Sequence, residues 1–104
     1  MNIVLKDLKV DYIKLKIDNI MESIKDLKSE NRSIGDKIRS FRKQIDINYG
    51  KLRDQQSYVY LGRTVRDYST VEYLYKLQEI NGKTIRKHRA KISSLKKEIE
   101  NLEK

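Results

Sequence analysis

Positions 13, 17, 20, 24, 27, 31, 34, 38, 41, 45, 48 and 52 hold Ile, Ile, Ile, Ile, Leu, Asn, Ile, Ile, Phe, Ile, Asn and Leu. The spacing alternates four and three without a break, a heptad seam sustained for more than five heptads. A strand would need a period of two. The seam predicts a helix over about residues 4 to 50, roughly 70 Å long at 1.5 Å per residue. A second seam runs through Val71, Leu74, Gln78, Asn81, Ile85, His88, Ile92, Leu95, Ile99 and Leu102. Ser69-Thr70-Val71-Glu72 ahead of it reads as a capping box. The second helix is therefore expected over about 70 to 103, roughly 50 Å.

Pairing of the first helix with itself through this seam, in parallel, would set Lys9 against Lys14 and Lys37 against Arg42. Like charges at those flanks oppose pairing. Folding back within one chain is the alternative, and a register with Leu52 facing Val71 puts Phe41 opposite Gly82 and Ile24 opposite Ile99. A large side chain opposite Gly82 would explain a glycine that otherwise costs a helix about 1 kcal/mol. That register leaves residues 1 to about 17 beyond the end of the second helix. The overhang carries Ile3, Val10 and Ile13 on the seam, with Leu5, Leu8, Tyr12 and Leu15 on another face. Two apolar faces on an unpaired end imply a partner or client, or bundling of the end with other copies. Asn31 and Asn48 interrupt the seam. Each either fixes register, as a buried Asn does in coiled coils, or reaches water.

Between the helices, Tyr58-Val59-Tyr60-Leu61 and Thr64-Val65 are rich in residues that favour strands, with Gly62 to supply a bend. This predicts a connector and short β-hairpin over about residues 51 to 69. A lone two-stranded hairpin is marginal in water, so strands from other chains would have to complete a sheet. The fold expected is all-α: one domain over residues 1 to 104, a long antiparallel coiled-coil hairpin with a short β-hairpin insertion at its bend.

Composition sharpens this picture. The chain is 38% hydrophobic and 38% charged, with no Pro, no Trp and a single Phe, which suits narrow buried stripes better than a compact core. No cysteine is present, which excludes disulfides and thiolate metal sites and fits a reducing, cytoplasmic setting. The first residues lack a basic segment followed by a long apolar run, so no secretory signal is expected. No run of about 20 apolar residues is present to span a membrane.

The net charge of +9 fits either a polyanionic partner or a compositional bias toward Lys, Asn and Ile. Lys83, Arg86, Lys87, Arg89, Lys91, Lys96 and Lys97 follow one another with no acid between Glu79 and Glu98. Tyr58, Tyr60, Tyr68, Tyr73 and Tyr75 fall near Arg53, Arg63 and Arg66. Basic side chains contact phosphates and aromatic rings stack on bases, so RNA or ribosome binding is the rival reading to a solvated charged face. No nucleophile motif, zinc spacing or phosphate loop occurs, and His88 falls on the seam as a packing residue. Neither catalysis nor a cofactor is expected.

Tyr58-Val59-Tyr60-Leu61-Gly62-Arg63 resembles the segment that opens the β-hairpin of β-type prefoldin subunits, and a coiled-coil hairpin with a β insertion is their plan. The resemblance implies a chaperone subunit. Six such hairpins would assemble into a hetero-hexamer with other prefoldin-like subunits. The helix ends remote from the bend would hold unfolded client proteins and pass them to a chaperonin without ATP. It assigns assembly to Tyr58, Val59, Tyr60, Leu61 and Val65. It assigns client contact at the tip to Ile3, Val4, Leu5 and Leu8.

Overall fold

The computed structural model describes residues 2–55 and 58–104, with side chains described from Val4 onward except Gln55. It is all-helical: α1 spans Asn2–Gln55 and α2 spans Tyr58–Glu103, and the two form a hairpin. No strand occurs among the described residues. The absence of proline lets both helices run without a break.

The expected β-hairpin is therefore corrected. Residues 58 to 69 open α2, which begins some twelve residues, roughly three turns, before the position expected from the capping box. Heptad spacing reaches back past Val71 through Asp67, Thr64 and Tyr60, at steps of four, three and four. All three are buried or half-buried, so the seam continues where the residues looked like strands. Strand preference is mostly a matter of packing against neighbouring strands, which a lone hairpin lacks. Within the helix the threonines are satisfied locally. The Thr64 hydroxyl donates to the carbonyl of Tyr60 at 2.7 Å, and that of Thr70 donates to Arg66 at 3.0 Å. Ser69 is mid-helix and caps nothing.

Two compact units make up the hairpin. One joins Met1–Lys28 to Gly82–Lys104. Its core is Ile13, Ile17 and Leu95, with Ile20, Ile92, Ile99 and Leu102 packed around them. The other is Ser29–Asn81, whose core is Ile34, Ile38, Val71 and Leu74, backed by Phe41, Ile45 and Leu77. All but Leu77, which flanks the seam beside Gln78, are seam residues of the two helices, as the heptads require.

The register differs from the one expected. Asn31 lies against Gln78 and Asn81, where pairing Leu52 with Val71 would have set it opposite Ile92. The slip is roughly three turns and follows directly from the earlier start of α2. Phe41 consequently packs against the cluster of Ile34, Ile38, Val71 and Leu74, and the nearest group to a side chain on Gly82 is Arg86 of the same helix at 3.7 Å. It is Gly35 that faces the opposing helix, with the Gln78 amide 3.5 Å from where its Cβ would be. The overhang shrinks as well. Val10, Ile13 and Ile17, expected to protrude, are buried.

One polar layer marks this register. Asn31 Nδ2 donates to the Gln78 carbonyl at 3.3 Å, and Gln78 Nε2 donates back to the Asn31 carbonyl at 3.1 Å. Asn81 Nδ2 completes the set by donating to Asn31 Oδ1 at 2.9 Å. A half-buried amide without partners costs about 1–3 kcal/mol, so the layer favours the one alignment that satisfies it. Nearer the turn the seam is polar again, with Asn48 and Asp67 buried. No buried side-chain nitrogen or oxygen among the described residues lacks a hydrogen-bond partner.

Two stability measurements check this description. Gly62 sits within α2 with nothing within 4 Å of a built Cβ, so Gly62→Ala should raise stability by up to about 1 kcal/mol in urea unfolding. A bend at Gly62 in a left-handed conformation would give the opposite sign. Asn31→Ala strands the Asn81 amide and removes the donation to the Gln78 carbonyl, while the Gln78 amide keeps its bond to the backbone carbonyl of residue 31, so it should cost about 1–2 kcal/mol.

Candidate protein-interaction face

Helix α1 has two apolar faces in its first five turns. Val10, Ile13 and Ile17 face α2 and are 3–7% exposed. On another side Val4, Leu5, Leu8, Tyr12 and Leu15 are between 58% and 69% exposed. Leu5, Leu8, Tyr12 and Leu15 step by three, four and three, so they form one stripe along the helix. Scattered single apolar residues on a surface are ordinary, whereas these leucines and the tyrosine are aligned in one contiguous apolar row. The stripe stops at Asn19, Glu22 and Asp26, which continue the same line with polar groups.

The flanks of the stripe are charged in an ordered way. Asp11 and Asp18 line one edge and Lys9 and Lys16 the other, all exposed. Lys16 Nζ sits 4.9 Å from the Tyr12 ring centroid, a cation–π contact that ties the basic edge to the stripe. The last turns of α2, in the same unit, carry no matching row: Ser94, Lys97 and Asn101 point away from its seam.

Of the residues expected to form the client tip, Val4, Leu5 and Leu8 are on this exposed side. Ile3 lies outside the residues whose side chains are described. The residues expected to drive assembly through strands lie instead on the first two turns of α2. Tyr58 is 88% exposed, Val59, Leu61 and Val65 are exposed, and Tyr60 is half-buried. Lys51 and Arg63 stand 5.4 Å and 5.6 Å from the Tyr60 ring centroid. Tyr58, Leu61 and Val65 step by three and four and share one exposed side of the helix, on which Tyr68 follows, whereas Val59 and Tyr60 lie on other sides.

A shallow groove of about 300 Å³ lies in the Ser29–Asn81 unit, lined by Arg42, Ile45, Asp46, Tyr68, Val71 and Tyr75. Arg42 Nη1 donates to the Tyr75 hydroxyl at 3.3 Å across it. The basic run from Lys83 to Lys97 is on the exposed surface of α2, around a seam that includes the half-buried His88. No group of three or more His, Asp or Glu residues among the described ones is arranged to hold a metal ion. No described helix is long and apolar enough to cross a membrane.

Sequence reasoning had identified Leu5, Leu8, Tyr12 and Leu15 as a stripe distinct from the seam. It missed that the flanking aspartates and lysines segregate to opposite edges, although their seven-residue spacings, 11 to 18 and 9 to 16, are legible in the chain. Comparison with protein-family models, with curated proteins and with solved structures found no match for this chain.

Proposed function

We propose that this protein is a non-catalytic binding module, a helical hairpin that docks a helix of another polypeptide chain on the outward stripe of α1. The observation that carries this reading is the stripe itself. Val4, Leu5, Leu8, Tyr12 and Leu15 are exposed, while the residues that hold the hairpin together lie on a separate face. Fully burying one such side chain contributes about 1.5–3 kcal/mol, so a helix laid along the row gains substantially without disturbing the hairpin. A preformed helix also lowers the ordering cost of docking.

A holdase reading draws on the same residues. Exposed Val4, Leu5 and Leu8 at the end where α1 begins are suited to holding unfolded chains, as the resemblance to prefoldin subunits implies. The hetero-hexamer and the chaperonin partner belong to that reading. Its base would have to be assembled from helices, since the residues that suggested strands open α2.

The paired substitution Leu5→Ser with Leu8→Ser separates these possibilities. Both positions are exposed, so helicity should be unchanged and stability should move by no more than about 0.5 kcal/mol. Native purification with the mass of the intact complex should find the natural chain in a complex heavier than 12.4 kDa, made of polypeptide, and the variant should lose it. Loss by the same variant of the ability to keep a denatured protein soluble would favour the holdase form. Complexes unaffected by the substitution would refute a role for the stripe. So would an RNA complex that weakens steeply with salt, which would move attention to the basic run of α2.

A further inference from the structure

Resting on the reading of the α1 stripe as a docking face, we propose that its occupant is a second copy of this chain, with the two α1 helices parallel and in register over residues 4 to 19. The spacing fixes the geometry first. Leu5 and Tyr12 take the a positions and Leu8 and Leu15 the d positions of a two-stranded coiled coil, with Asn19 at the next a position. On this numbering the e positions are Lys9 and Lys16, and the g positions Asp11 and Asp18.

Those flanks select the orientation. In a parallel, in-register pair each g residue faces the e residue five places further along the other chain. Asp11 therefore meets Lys16 of the second copy, and the contact recurs on the other side of the two-fold axis. An antiparallel pair sets g against g and e against e, which brings aspartate to aspartate and lysine to lysine. One surface thus supplies both halves of a self-complementary contact, as a two-fold dimer requires. The like-charged pairs that oppose dimerisation through the buried seam do not form here: Lys37 and Arg42 lie beyond the stripe, and Lys9 at its e position faces Val4, not Lys14, of the second copy.

The remaining surroundings agree. Ile13 and Ile17, between the a and d positions on the opposite side of the helix, are buried in the hairpin core, so docking on the stripe leaves that core intact. Asn19 would face Asn19 of the second copy, a polar pair at an a position that favours two strands and a fixed register. Glu22 and Asp26 at the following d and a positions end the apolar row and confine the interface to about two heptads. So short a seam makes a weak, concentration-dependent dimer.

Sedimentation equilibrium on the full chain tests this. The mass should rise with concentration from 12.4 kDa toward twice that value. Asp11→Lys alone places lysine against lysine, and Lys16→Asp alone places aspartate against aspartate. Each should weaken self-association by at least about tenfold, with helicity unchanged. An equimolar mixture of the two variants restores both opposite-charge contacts and should dimerise at least as well as the natural chain. The protein has no cysteine, so Asn19→Cys gives a single thiol. Parallel pairing brings the two copies of that position within disulfide reach, about 6 Å between α carbons, and added oxidant should cross-link them. A chain that stays monomeric at every concentration, or a dimer that ignores both charge reversals, overturns the proposal. If the monomeric chain still loses a different polypeptide partner on Leu5→Ser with Leu8→Ser, the docking face stands and only its occupant was misassigned.

Discussion

The alignment of one helix against the other is the constraint on which the rest of this molecule depends. A heptad seam alone specifies a face but not a register, because sliding by seven residues again sets apolar against apolar. The exchange between Asn31, Gln78 and Asn81 removes much of that degeneracy, since a shifted alignment would set half-buried amides against isoleucine or leucine. Gly35 lies beside the same layer, with the Gln78 amide at an ordinary contact distance of 3.5 Å from the position a Cβ would take. Register then decides everything downstream: which residues of α1 are covered, where the hairpin core ends, and which apolar row is left outside.

Much of this was legible in the sequence. Periodicity identified both helices, both seams and the separate row of Leu5, Leu8, Tyr12 and Leu15. The segment from Tyr58 to Ser69 was not legible, for a definite physical reason. Its seam positions are Tyr60, Thr64 and Asp67, so the heptad continues in residues that do not announce themselves as apolar, while Val59, Leu61 and Val65 are exposed. Propensity then pointed to strands, although the difference at stake per residue is only of the order of 1 kcal/mol and is decided by neighbours. Because register was measured from the expected start of α2, that single misreading displaced every cross-helix pair, including the apparent match of Phe41 with Gly82. The buried Asp67 shows why polarity is a poor guide to the seam close to a turn.

The loss of the strands also changes what the resemblance to prefoldin subunits can support. Its two parts were a β insertion for assembly and apolar tips for clients. The first has no counterpart among the described residues, and the tyrosines that suggested it are arranged around a helix. The second depends only on apolar exposure at the start of α1, which is present at Val4, Leu5 and Leu8. A docking face is thus the more general statement of the same observation, and the identity of what docks there rests on the flanks rather than on the fold.

Charge distribution bears on that identity. Residues 4 to 19 hold Lys6, Lys9, Lys14 and Lys16 against Asp7, Asp11 and Asp18, close to balance in a chain of net charge +9. Between Glu79 and Glu98, by contrast, α2 carries seven basic residues and no acid. The excess positive charge is therefore concentrated on α2. A polyanion laid along the stripe would meet Asp7, Asp11 and Asp18 beside leucines that gain nothing from phosphate. A helix with its own segregated edges gains from both the apolar row and the flanks, and at the ionic strength of a cell the short-range matching of aspartate to lysine survives better than the long-range field of the whole chain. The two surfaces are separable in kind: one is an apolar row with opposite charges at its edges, the other a run of like charge.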